Sequence, residues 1–338
     1  MSVTAAPLSV LDELFLHLDT PDEPWSVHME IGVERRLDAD RLTHAVHEAL
    51  AWHPRSRERV PVCSASARDL TSRRRSRSPW LVADRALKVR ATLEMLAEAG
   101  GAPARIAADG ATVANGYGFE RFELGDGELD QVIAGRESGQ TVNDVLLAAL
   151  GLTIDRWNLD RDQPTGRIAF MMPVNLRPAA WASSVVSNLA SYVTISLHEA
   201  ERQTLAGAVR AVARRTGRVK SARTDGLLID VLGLPSLLPV GIRRRMPSLI
   251  SIVESRLVDT VVLSNLGRLA APQPMGDAGQ VRSVWFSPPA RMPLGAAIGV
   301  ATMSGRMFVT LRYRHALLDA DAARRFATLY RETLIGGT

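Results

Sequence analysis

The sequence predicts a mixed α/β (α+β) protein with a largely antiparallel or mixed sheet, and three observations carry that reading. The chain opens as helix, strand, helix; it becomes strongly patterned from Thr141, where helical and strand periods alternate; and it closes on three strand-like segments followed by a capped helix. Its 338 residues, 46% of them hydrophobic, suffice for two domains or one large two-lobed body with a real core.

Taken in order, Ser9 caps a predicted helix from Val10 to Leu18, with Asp12 completing a capping box and Leu11, Leu14, Phe15 and Leu18 in one stripe. Pro21 and Pro24 end it. From Trp25 to Val33 the pattern has period two, and Val27, Met29, Ile31 and Val33 are expected to face the core as a half-buried strand. Asp38 or Asp40 opens a second helix, its core face predicted from Leu42, Val46, Ala49 and Leu50, and Pro54 closes it. The stretch 61–79 holds five serines and the run Arg73, Arg74, Arg75, and reads as a linker. A helix is predicted over Leu81 to Glu98, then a glycine-rich loop, then a short strand around Phe119 to Leu124.

Thr141 is a natural cap for a helix reaching Trp157. Ile168 to Val174, Ser187 to Leu197 and Leu257 to Leu263 have strand length and apolar content, and Thr204 to Ala222 is an Arg-rich amphipathic helix. The segment 227–250 is apolar but interrupted by Pro235, Pro239 and Pro247, and is expected to form a mobile helix pair over a cleft, with a lipid-facing entrance as the minority alternative. Val281 to Phe286, Ala296 to Met303 and Met307 to Tyr313 read as successive strands, after which Asp319 caps a last helix to Leu334.

Charge and composition narrow the function classes. The formal charge is +5, and only Lys88 and Lys220 among the 41 basic residues are lysines. That bias fits a GC-rich genome, and no basic stripe interleaved with aromatics supports nucleic-acid binding. No apolar run approaches the roughly 18 residues of a spanning helix, and the N-terminus has no basic region followed by an apolar one. The single cysteine, Cys63, has no internal disulfide partner. A cytoplasmic protein without a transmembrane segment is the expectation.

Against this frame, three segments in order resemble the chloramphenicol-acetyltransferase superfamily. They are residues 8–33 (LSVLDELFLHLDTPDEPWSVHMEIGV), the pair TVNDVLLAAL and MMPVNLRP beginning at Thr141 and Met171, and VVLSNLGR over 261–268. Within the superfamily they are similar to the wax ester synthase/diacylglycerol acyltransferase and polyketide-associated acyltransferase groups, with condensation domains as cousins. The likeness covers residues 8–60 and about 80–335.

The resemblance implies a two-lobed, CoA-dependent-acyltransferase-like sandwich with mixed sheets. It also implies transfer of an acyl group from a CoA or carrier-protein thioester to an alcohol or amine in lipid or natural-product biosynthesis. No bound cofactor or metal is expected; acyl-CoA or a phosphopantetheinyl carrier protein is the donor substrate. A carrier protein or an acyltransferase paralogue is the expected partner, beside a small-molecule or lipid acceptor.

The departure lies in the catalytic motif. In the family, the second His of His-His-x-x-x-Asp-Gly serves as general base, a role suited to an imidazole titrating near neutral pH. None of His17, His28, His44, His47, His53, His198 or His315 is doubled or followed by Asp-Gly. The expectation is therefore an N-terminal lobe truncated around the linker, with lobes at 1–125 and 126–338. A catalytically inactive scaffold paralogue and a deleted or mis-joined gene product are the alternatives to an active enzyme.

The candidate residues follow. His315 with Asp319 (H-A-L-L-D) keeps the His-x-x-x-Asp spacing and is the candidate for the missing base, against a turn residue and a helix cap. Asn143 and Asp144 fall in the segment where the resemblance is strongest, although Asn and Asp also favour a first helical turn. Ser264 and Asn265, before Gly267, are positioned to donate to a thioester oxyanion or to end a strand. The resemblance makes Arg177 the likeness of the family's motif-binding arginine. His44 and His47 share a helix face without a third ligand.

Overall fold

The computed structural model describes residues 19–20, 24–52, 102–112, 115–163, 165–175, 190–222, 259–270 and 273–336, without the Asp126 side chain. The opening helix, the 61–79 linker with Cys63, the 81–98 helix, Arg177 and the 227–250 segment lie outside the described residues.

The scaffold is a six-stranded mixed sheet. Its strands, in spatial order, are β2 (Tyr117–Leu124), β8 (Arg306–Arg314), β7 (Ala296–Met303), β5 (Val261–Arg268), β3 (Arg167–Asn175) and β4 (Ala190–His198). The two central junctions, β7 with β5 and β5 with β3, are parallel, and the outer ones are antiparallel. A separate antiparallel ribbon joins β1 (His28–Val33) to β6 (Val281–Ser287). Thus β2, on the N-terminal side of residue 125, is an edge strand of the same sheet as β8, and β1 is paired with β6.

Because side chains alternate and directly paired residues share a face, the register divides the sheet's two sides. One side presents Ile168, Phe170, Ile195, Leu197, Leu263, Ile298 and Leu311 to the main core. The helix α3 (Val142–Leu159) belongs to that core and buries residues around most of its circumference, as a central helix must. Fully burying each of Leu146, Leu147, Leu150 and Ile154 contributes roughly 1.5–3 kcal/mol. Gly151 permits the close approach, since a Cβ there would stand 2.8 Å from Leu197 Cδ1 and 3.3 Å from Phe170 Cζ. The Arg-rich α4 (Leu205–Ala222) packs on α3 and β4, and α5 (Ala320–Ile335) packs on α3 and β2. A short helix not foreseen, α2 (Asp126–Ala134), lies between β2 and α3, with Leu129 and Val132 in the same core.

The second side carries two smaller clusters. Val262, Ala290, Leu294 and Ala297 form one, and Val284, Met303 and Phe308 the other. The ribbon lies over this side, and its contact is tightest at Gly299, where a Cβ would overlap the Phe286 carbonyl oxygen and stand 2.8 Å from Ser287 Cα.

Two expectations are corrected here. Val27, Met29 and Ile31 are exposed, and the inward residues of β1 are His28 and Glu30, which meet Phe119 and Arg121 of β2. An aromatic ring and a guanidinium on the facing strand select a ring and a carboxylate, and that pairing overrides the apolar alternation. Likewise α1 (Ala39–Trp52) forms where predicted, but Leu42 and Val46 are exposed and the helix buries no residue. An ion pair across the fold joins its Arg41 to Asp277.

Candidate functional site

Four of the sequence candidates meet around the start of α3 and the end of β5, although they divide between the two sides of the sheet. Thr141 caps α3 through a capping box: its hydroxyl accepts from Asp144 N–H at 3.3 Å, and its own N–H donates to Asp144 Oδ2 at 2.7 Å. Asp144 is almost fully buried, and its other oxygen accepts from the Thr216 hydroxyl of α4 at 2.7 Å. Its carboxylate thereby holds two helices together.

Asn143, one residue earlier, turns toward the sheet. Its Nδ2 donates to Met172 Sδ at 2.8 Å, and its Oδ1 accepts from Asn265 Nδ2 at 3.4 Å. Asn265 Oδ1 in turn accepts from Gly267 N–H at 2.8 Å, a turn that Gly267 closes at φ +73°. The SNLG segment therefore bulges its strand, which pairs again at Arg268, and presents an amide to the first turn of α3 at once.

Ser264 occupies the opposite side by strand alternation. It pairs with Gly299 of β7, which pairs with Thr310 of β8, so Ser264 and Thr310 flank the glycine in one row. Ser287 arrives from above with the ribbon. The Ser287 and Thr310 hydroxyls are buried and make no hydrogen bond among the described residues, while Ser264 is 9% exposed. Three hydroxyls thus converge where small residues bring the ribbon onto the sheet. Sequence reasoning singled out Ser264 alone, since no local pattern reports that Ser287 lies over Gly299.

Further along this side, the guanidinium of buried Arg312 lies 4.0 Å from the Tyr117 ring centroid and donates to the Ser26 carbonyl at 2.6 Å. Near the start of β5, buried Asp259 accepts from the Thr194 hydroxyl at 3.0 Å. Burial pushes its carboxyl up to about 6 against the opposing pull of Thr194, Arg167 and Arg105.

His315 and Asp319 follow β8. The His315 N–H donates to Gly116 O at 3.3 Å, and its ring stands 5.9 Å from that of Tyr313. Asp319 Oδ1 accepts from Ala322 N–H at 2.7 Å and caps α5. On α1, His44 pairs with Glu48 at 3.3 Å.

Comparison with known proteins places this geometry. No family model matches the chain. Uncharacterized proteins MT2362 and Rv2305, from strains CDC 1551 / Oshkosh and ATCC 25618 / H37Rv of Mycobacterium tuberculosis, are each 39% identical over 221 residues, covering 64% of this chain and 51% of theirs. The chain thus spans about half the length of the curated relatives it matches. Among solved structures, TRI3 trichothecene 15-O-acetyltransferase from Fusarium sporotrichioides aligns at a TM-score of 0.56 with 11% identity, over 77% of this chain and 54% of that one. The epimerization domain from the third module of tyrocidine synthetase B gives 0.52 with 16% identity, over 75% and 55%. The X-domain from teicoplanin biosynthesis gives 0.51 with 15% identity, over 76% and 56%.

The chain shares its fold with these three solved structures. The shared architecture is the six-stranded sheet with its helices on one side and the β1–β6 ribbon on the other. Among the described residues, no helix is long and apolar enough to cross a membrane.

Proposed function

We propose that the chain performs, or descends from proteins that perform, thioester-dependent acyl transfer to an alcohol or amine in lipid or natural-product biosynthesis. Acyl-CoA or an acylated phosphopantetheinyl carrier protein is the donor in this reading. The observation that carries it is the convergence of the Ser264, Ser287 and Thr310 hydroxyls on the roofed side of the sheet. Buried hydroxyls without an internal acceptor suit a ligand rich in carbonyl oxygens, and a thioester whose oxygen gains charge during attack is such a ligand.

The test is thiol release from acetyl-, octanoyl- and palmitoyl-CoA, and from the corresponding carrier-protein thioesters, with and without a panel of alcohols and amines. Acceptor-stimulated release by wild type, reduced at least about tenfold in Ser264→Ala, is the expected result. No release above buffer across the panel overturns the reading of the chain as an active acyltransferase. His315→Ala in the same series tests the base suggested by the H-A-L-L-D segment.

A second reading, an inactive paralogue that binds a partner, is favoured by one observation. Val27 just before the ribbon, Met29 and Ile31 within it, and Leu42 and Val46 of α1 are all exposed. Retention of a carrier protein or a longer paralogue in pull-down, without turnover, is the outcome that selects it.

A further inference from the structure

The one histidine among the described residues that faces the roofed side of the sheet and is held by a carboxylate is His28. Its Nε2 lies 3.0 Å from Glu30 Oε1. The ring stacks on Phe119 with centroids 4.5 Å apart, and the other Glu30 oxygen is paired with Arg121. That guanidinium in turn lies 5.4 Å from the Trp285 ring centroid. The bond to His28 and the charge of Arg121 hold the Glu30 carboxyl below the usual carboxylate range. An ionised acceptor at Nε2 selects the Nε2–H tautomer and leaves the lone pair on Nδ1. The charged groups about the ring are thus Glu30 and Arg121, with Arg312 beyond, 5.8 Å from the Phe119 centroid.

Strand register connects this pair to the hydroxyl row. His28 is paired with Ser287 across the ribbon, Ser287 Cα stands 2.8 Å from where a Gly299 Cβ would lie, and Gly299 is the partner of Ser264. The imidazole is nevertheless open to solvent, with 39% of its side chain exposed, so a small molecule has access to it. An oriented imidazole whose cross-strand partner, Ser287, carries a buried hydroxyl supplies the base and the donor that base-assisted attack on a carbonyl needs.

We propose that His28, oriented by Glu30, is the general base of the acyl transfer, an inference that rests on the reading given under Proposed function. Nδ1 accepts the proton of the acceptor O–H or N–H as that heteroatom forms its bond to the thioester carbonyl carbon. Collapse of the tetrahedral adduct breaks the C–S bond, and the imidazolium returns the proton to the departing thiolate. Glu30 is a positioning residue, which holds the tautomer and the ring plane.

The experiment compares wild type, His28→Gln, His28→Ala, Glu30→Gln and His315→Ala in the thiol-release assay, with His44→Ala as a control on α1. His28→Gln is expected to lower kcat by about 100-fold or more with KM little changed. Glu30→Gln should lower kcat by about tenfold and shift its pH profile, and added imidazole should restore turnover to His28→Ala, which a purely structural role would not allow.

With wild type active, a His28→Gln kcat within about twofold of wild type, or a loss confined to His315→Ala, overturns the base assignment and leaves the acyltransferase reading standing. Wild type inactive on every donor removes both together. Should His28→Gln lose its cooperative melt, Glu30→Gln decides: a kcat within about twofold of wild type overturns the pair.

Discussion

The Thr216 hydroxyl donates to Asp144 Oδ1 at 2.7 Å and so joins α4 to the first turn of α3. Both residues are buried, and the same carboxylate completes the α3 capping box. Asp144→Ala removes the cap partner and leaves the Thr216 hydroxyl without its carboxylate, so it should destabilise the fold by about 2–4 kcal/mol. Thr216→Val should cost about 1–3 kcal/mol, because it leaves a buried carboxylate oxygen short of a donor. Chemical denaturation of both singles and the double checks this, and a coupling energy near zero would refute the link.

Arg202 should be the least replaceable cation among the described residues. Its side chain is fully buried, and its two terminal nitrogens donate to Gly166 O, Leu197 O, Thr165 O, Thr165 Oγ1 and Asp155 Oδ1. Arg202→Ala strands these acceptors and should cost about 3–5 kcal/mol. Lysine offers a single ammonium in place of a planar fork, so Arg202→Lys should rescue only a fraction of that loss in urea melts.

Asp259 should make stability fall as pH rises. Burial places its folded pKa at about 6, above the unfolded value of 3.8, so the folded state binds the proton more tightly. The contribution of this group is fully present below pH 3.8 and is lost as pH rises through about 6; the gap corresponds to on the order of 3 kcal/mol. Asp259→Asn keeps an oxygen for Thr194 and removes the titration. Its stability relative to wild type should therefore increase between about pH 4 and pH 7 and level off above, which equilibrium unfolding across that range would show.

Two glycines should respond in opposite directions to alanine. At Gly299 the new methyl overlaps the Phe286 carbonyl, so Gly299→Ala must lift the ribbon from the sheet, with an expected loss of about 1–3 kcal/mol or more. Gly217 sits within α4, exposed and with nothing within 4 Å of a Cβ. There alanine should stabilise by about 0.5–1 kcal/mol through helix propensity, read as a raised Tm.

Helices and strands were legible wherever the signal is local. The Thr141 cap, the Asp319 cap and the strand periods from Ile168 to Tyr313 are each set by residues close in the chain, and the structure places α3, α5 and the strands accordingly, except that β5 begins at Val261 and runs to Arg268, past the predicted end at Leu263. Periodicity failed at β1 and α1, because it reports that a segment has an apolar face and not which neighbour that face meets. At β1 the neighbour is Phe119 with Arg121, so His28 and Glu30 turn inward and Met29 and Ile31 outward.

The candidate site divides in the same way. By itself the sequence determined the element types, the likeness to an acyltransferase superfamily, and Asn143, Ser264 and Asn265 as residues to watch. Only the tertiary structure decided that Asn265 reaches Asn143, that Ser264 faces the other side of the sheet, and that Ser287 and His28 are carried to it by the ribbon. These relations join residues far apart in the chain, and no pattern within a short window encodes them. Those on the ribbon side exist because two strands, paired to each other, cross the sheet at Gly299, where the absence of a side chain lets backbone meet backbone.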